Sequence, residues 1–336
     1  MLLAELALRA GAPLAPLPLK AFLQEEGPRS TLSVLRVARG TTLTLPEGAF
    51  QTAADGVAVG DSMVFGTLVS DSELFTSRIQ ERTGRRVLNL GVGGRGPCAY
   101  NRMLALAADR LPAPPPRILY GLFANDFIEK PCEEENLGGL FLWKEAVSKD
   151  PALRLRRIRE KVLGKSLLYL LIKRWGTFGH LTAGETFDPI PSRERGNAFL
   201  FAPPAYWEPK LNPARPEVTE GFLRTLEKIT EARQAVETAG GRFLLLLIPC
   251  KEQVYLPRLV ETGHLPQSAY PAWYDTLYDR LVIWAAAEGI PAVDLRPPFR
   301  AAAAGEKLYW TLDGHWTPAG HRLAAARLAR YFEEEP

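Results

Sequence analysis

The chain has 336 residues, with 41 Lys and Arg against 38 Asp and Glu and a formal net charge of +3 at pH 7. That length allows one large α/β domain or two smaller ones with a sizeable core, and so balanced a charge excludes a surface that coats nucleic acid along its whole length. The three cysteines (Cys98, Cys132 and Cys250) lack C-x-x-C spacing and the four histidines lack an H-E-x-x-H helix, so neither a metal site nor a disulfide framework is indicated, and one bridge at most can form.

The N-terminal stretch MLLAELALRAGAPLAPLPLK is apolar but carries Glu5 and Arg9 and runs into prolines. It is too short and too charged for a complete signal peptide or membrane span. It reads either as the last turns of a signal anchor that begins upstream or as a short amphipathic helix lying on the domain. The first reading makes the protein extracytoplasmic or membrane-associated, and the second leaves it cytoplasmic. Residues 1–56 together form an N-terminal appendage that ends in a polar, Gly-punctuated stretch suited to a small β element.

Five short apolar runs follow, at 57–60, 87–92, 117–124, 242–249 and 291–296. Helical patterns separate them, at Asp71 to Thr83, Tyr100 to Leu111, Val218 to Ala239 and Tyr270 to Glu288. A last helix is announced by Thr317 as N-cap and Pro318 at its first position. This βαβ rhythm predicts a doubly wound parallel sheet with helices on both faces, and ligands in such sheets bind beyond the carboxyl ends of the strands. Residues 127–217 form an insertion too long for an ordinary connection, which reads as a lid or specificity region. Within it, eight basic residues between Arg154 and Arg174 stand against one acid, Glu160. That pattern is a basic amphipathic helix, either a solvated surface helix or a peripheral contact with a membrane or an anionic glycan.

The second run leads into LNLGVGGRGP, where Gly91, Gly93 and Gly96 spell G-x-G-x-x-G. The nearest downstream acid, Asp109, comes too early for the ribose contact that a dinucleotide fingerprint needs. The first run ends in Gly60, Asp61 and Ser62, in a turn before a helix, where the serine is either an N-cap or a hydroxyl projected into the crevice. Near the chain end, Asp313 and His315 sit two residues apart in a turn. There a carboxylate can hold the imidazole Nδ1–H while Nε2 takes a proton from a hydroxyl. The third run ends in Asn125 and Asp126. A glycine amide, the Asn125 side-chain NH2 and the amide of Ser62 together suit an oxyanion, so the glycine loop needs no nucleotide.

In chain order, Ser62, a loop glycine, Asn125 and His315 resemble the four blocks of the SGNH, or GDSL, hydrolase superfamily, over roughly residues 55–126 and 242–330. The resemblance implies a three-layer, flavodoxin-like fold over 57–336 with five parallel strands ordered 2-1-3-4-5. It implies Ser62 as nucleophile, His315 as general base, Asp313 as its orienting partner, and Gly94, five positions after Asn89, with Asn125 as oxyanion donors. Phe123 stands where the third block usually has glycine, and the last block reads D-x-H instead of D-x-x-H. That spacing, the following Trp316 and the stretch IPCKEQVY resemble the branch of exopolysaccharide O-acetyltransferase-like proteins. The resemblance makes Lys251, Tyr255 and Trp316 candidates to face the substrate, with a helix-start lysine whose head is solvated as the alternative for Lys251. His321 is the competing base and reads as a packing or capping residue of the last helix. The implied activity is acyl transfer through acyl-Ser62, to water or to a sugar hydroxyl, on an acylated small molecule or polysaccharide, with no cofactor or metal. The alternative is a non-catalytic glycan-binding module, expected if Ser62, Asn125 and His315 fail to converge.

Overall fold

Apolar residues on both sides of a strand require cover on both faces, and three of the runs meet that condition. Every residue of β1 (Gly56–Val59), β2 (Val87–Asn89) and β3 (Arg117–Leu122) is buried. The computed structural model describes residues 48–129, 131–132, 190–194, 197–311 and 313–333. Within them the strands continue with β4 (Ile190–Glu194), β5 (Asn197–Phe201), β6 (Arg242–Leu247) and β7 (Ala292–Asp294). The main sheet is parallel throughout and runs β2-β1-β3-β6-β7. Counted over its own five strands, this is the 2-1-3-4-5 order. The running numbers differ because the insertion contributes an antiparallel hairpin of its own, β4 with β5.

The helices are α1 (Ser62–Phe65), α2 (Phe75–Thr83), α3 (Pro97–Arg110), α4 (Pro204–Leu211), α5 (Pro216–Thr238), α6 (Lys251–Glu261), α7 (Trp273–Ala287), α8 (Arg296–Ala303) and α9 (Pro318–Glu333). Four expected helices change their starts, α5 by two residues, at Pro216 instead of Val218. The pattern from Asp71 splits, because Ser70 and Glu73 close a separate 3-10 turn in which the Ser70 amide donates to Glu73 Oε2 at 3.0 Å, and Leu74 then turns extended. α3 begins at Pro97 instead of Tyr100, since proline fits the first helical position, where its missing N–H costs nothing. α7 begins at Trp273 because Tyr270 ends another 3-10 turn.

The apolar runs also outlast their strands. Residues beyond the assigned ends stay tied to the sheet, with the Val92 amide on the Gly60 carbonyl and the Ile248 amide on the Leu122 carbonyl, both at 2.8 Å. The loops that leave these ends line the crevice where ligands bind in such folds. One disulfide joins Cys98, at the start of α3, to Cys132, beyond the turn that follows β3, while Cys250 is a buried free thiol. The basic stretch Arg154–Arg174, most of the appendage 1–56 and much of the insertion lie outside the described residues. Among the described residues no helix is long and apolar enough to cross a membrane.

Candidate active site

Asp61, in extended conformation, caps α1 by accepting the Met63 amide at 2.8 Å. The cap is therefore Asp61, and Ser62 becomes the first helical residue at the carboxyl end of β1. The glycine loop presses against this helix: a Cβ at Gly91 would stand 2.3 Å from the Phe65 amide nitrogen, so only glycine allows the approach. Asn89 staples the two together. Its Nδ2 donates to the Val64 carbonyl at 2.7 Å and its Oδ1 accepts the Gly91 amide at 3.0 Å.

His315 reaches the same place from the far end of the chain. Its Nε2 lies 2.8 Å from Ser62 Oγ and its Nδ1 lies 2.5 Å from Asp313 Oδ1. The short D-x-H spacing lets the same carboxylate oxygen also accept the His315 backbone amide at 2.8 Å. A carboxylate can only accept, so it holds the proton on Nδ1 and leaves Nε2 as an acceptor for the serine hydroxyl. Ser62 Oγ also lies 3.2 Å from Asp61 Oδ2. Burial pushes the Asp61 carboxyl above its ordinary range, opposed by the Met63 amide and the charge of His315.

The three residues expected to face substrate point inward. Lys251 is only 3% exposed, and its ammonium donates to the backbone carbonyls of Trp310 at 3.0 Å, Thr311 at 2.9 Å and Asp313 at 3.3 Å. Neither the substrate-facing nor the solvated reading of Lys251 holds: it is a buried cation around which the loop carrying Asp313 is folded. Tyr255 packs its ring on Phe199 with centroids 4.4 Å apart, and its hydroxyl accepts the Leu308 amide at 2.9 Å. Trp316 is buried against Phe299 at 5.1 Å and edge-on to His321 at 5.3 Å. For Lys251 and Tyr255 the physical reason is the hairpin of the insertion, whose Phe199 and Phe201 cover the face of α6 that would otherwise be open. His321 is buried, with its Nδ1 accepting the Phe75 amide at 3.3 Å, as suits a packing residue.

Gly94 and Asn125 lie on the loops after β2 and β3, the two strands that flank β1 and Ser62. Gly94 is an exposed loop tip with φ of +70°, a conformation that glycine adopts without strain. Asn125 is partly exposed in the 3-10 turn Ala124–Ile128, and its Oδ1 is buried with no partner among the described residues. Phe123, in the place of the usual glycine, has ordinary extended backbone with φ of −120° and rests edge-on against Trp207 at 6.0 Å. Sequence reading missed the neighbouring Tyr206, which is 43% exposed. Burial raises its phenol, and the charges of Glu252 and Asp313 add to the shift. The aromatic pair Tyr206 and Trp207 at the end of the insertion was the available signal.

Residues 211–336 match the family described as SGNH hydrolase-like domain, acetyltransferase AlgX. The match includes Asp313, His315 and Lys251 and stops short of Ser62, Gly94 and Asn125. A Pseudomonas syringae protein named "Probable alginate O-acetylase AlgJ" is 30% identical over 103 residues, which is 31% of this chain and 25% of that protein. Its namesake from Pseudomonas putida is 30% identical over 104 residues, 31% of this chain and 26% of that protein. The chain thus spans about a quarter of the length of these curated relatives. Among solved structures, a member of the lipolytic protein G-D-S-L family from Veillonella parvula aligns with 83% of this chain and 98% of its own, at 12% identity and a TM-score of 0.44. The resemblance to the SGNH superfamily and to its O-acetyltransferase-like branch is carried by the family match and the AlgJ relatives.

Proposed function

With its C-terminal part similar to acetyltransferase-type SGNH proteins, we propose that this chain transfers acyl groups through an ester on Ser62, as an O-acetyltransferase or esterase acting on a polysaccharide or another O-acyl ester. The observation that carries this reading is the hydrogen-bonded series from Ser62 Oγ to His315 Nε2 at 2.8 Å and from His315 Nδ1 to Asp313 at 2.5 Å. His315 accepts the Ser62 proton as Oγ attacks the ester carbonyl. The resulting oxyanion is met by the Ser62 amide, the Gly94 amide and Asn125 Nδ2, and His315 returns the proton to the departing alcohol. Water or a sugar hydroxyl then resolves the acyl-enzyme by the same steps in reverse.

A non-catalytic glycan-binding module would not need a hydroxyl, an imidazole and a carboxylate held in this sequence. The test is covalent labelling of the purified protein with a serine-directed organophosphonate, followed by mapping of the modified peptide, beside ester turnover by wild type and Ser62→Ala. Label on Ser62 and a loss of about 10⁴-fold or more in the variant are expected. Activity within about tenfold of wild type would sink the nucleophile assignment. Acetyl release measured with and without a polysaccharide acceptor separates hydrolysis from transfer.

A further inference from the structure

Three buried carboxyl groups surround the junction of the glycine loop and the Asn125 turn: Asp61 and Asp126, each 1% exposed, and Glu129, 7% exposed. The hydrogen bonds of Tyr100 decide how one of them is protonated. The Tyr100 hydroxyl oxygen lies 2.7 Å from the Arg95 carbonyl oxygen and 2.7 Å from Asp126 Oδ1. A phenol brings one proton and a carbonyl none. With Asp126 ionised, one of the two contacts would set oxygen lone pairs against each other at 2.7 Å in a buried place, where an unmade hydrogen bond is costly. With a proton on Asp126 Oδ1 both contacts are bonds: Asp126 donates to Tyr100, and Tyr100 donates to the Arg95 carbonyl. Asp126 Oδ2 meanwhile accepts the Phe123 amide at 2.8 Å.

We propose that Asp126 is a neutral acid acting as a positioning residue, whose proton ties the turn that bears Asn125 to the loop that bears Gly94. Arg95 directly follows Gly94 and Asp126 directly follows Asn125, so the chain of bonds sets the spacing between the two oxyanion donors. The proposal rests on the reading of those two residues as donors. The surroundings favour the neutral form. Burial pushes Asp126 well above the carboxylate range, and the charges of Asp61 and Glu129 push it further, against the Phe123 amide and the Tyr100 hydroxyl. The other groups facing it are the buried phenols of Tyr120 and Tyr278, and the Thr225 hydroxyl of α5, which donates to its backbone carbonyl at 2.6 Å. Arg224 of α5 donates to the Glu129 carbonyl at 2.8 Å.

The folded state holds a proton that the unfolded chain releases above about pH 4. The stabilisation is therefore complete at low pH and is lost as pH rises toward the raised value for Asp126. The experiment compares wild type with D126N, D126A and Y100F. Infrared spectroscopy at neutral pH should show the carbonyl stretch of a protonated carboxyl that D126N removes, and D126N should flatten the fall of Tm with rising pH. D126N supplies a neutral donor and acceptor in the same positions, so ester turnover should stay within about threefold of wild type, whereas D126A and Y100F should lower kcat about tenfold or more with KM little changed. The proposal is overturned if D126N removes no such band, or if D126N is as slow as D126A. Should wild type cleave no ester, the reading of the site fails alone, and the infrared band and the pH dependence of Tm still decide the state of Asp126.

Discussion

Ser62 has one hydroxyl proton and two acceptors, His315 Nε2 at 2.8 Å and Asp61 Oδ2 at 3.2 Å. The shorter contact takes the proton, because hydrogen bonds weaken with distance and Asp61 already accepts the Met63 amide. On the proposed mechanism the Asn125 amide, on the turn after β3, serves the oxyanion. Asn125→Ala should lower kcat by roughly 10²–10³ with KM nearly unchanged. A rise in KM at constant kcat would make it a ground-state binding residue. Lys251 acts one step further back, through the carbonyls that shape the Asp313 loop. Lys251→Met leaves those carbonyls buried without their donor, so unfolding in urea should show a loss of about 3 kcal/mol, and phosphonate labelling of Ser62 should slow with it. A variant as stable as wild type but unable to bind acceptor would return Lys251 to the substrate.

At the scale of elements, the insertion contributes cover as well as exposure. The β4–β5 hairpin closes over α6, and α4 then sets Tyr206 at the rim with Lys210 Nζ 3.5 Å from its ring centroid. An exposed ring suits the apolar face of a sugar, and an ammonium next to it suits an acidic or hydroxylated one. Tyr206→Ala should raise KM for a saccharide acceptor about five- to tenfold, while the rate of acylation by a small ester stays unchanged, since only ground-state contact is removed. Equal effects on both substrates would place Tyr206 in the fold of the site instead of its acceptor side.

For the whole molecule, the Cys98–Cys132 bridge ties α3 to the segment that follows the Asn125 turn, across a separation of 34 residues. Closing a loop of that size restricts the unfolded chain, and its loss should cost about 3–4 kcal/mol. Denaturation midpoints measured with and without reductant, and for C98S/C132S, test this; coincident midpoints would show that the bridge carries no stability. Disulfides persist in oxidising compartments, so the bridge favours the extracytoplasmic reading of the protein, which fractionation of expressing cells would check.

The strands were legible in the sequence because a parallel strand buried on both faces must be apolar along its length, and the runs at 57–60, 117–124 and 242–249 are, apart from the Arg117 and Arg242 that open two of them. The pairing of Asp313 with His315 was legible too, because it is local: two residues in a turn can meet without help from the rest of the chain. What sequence could not decide were directions and distant partners. Lys251 was read toward substrate because its position, and not its orientation, is visible in the stretch IPCKEQVY; its partners are carbonyls some sixty residues away, and the covering Phe199 and Phe201 come from the insertion. The joining of Cys98 to Cys132 and the proton shared by Tyr100 and Asp126 likewise depend on loops that meet only when the sheet is assembled. Patterning encodes which faces are dry, whereas the placement of single protons and charges follows from contacts that tertiary packing alone creates.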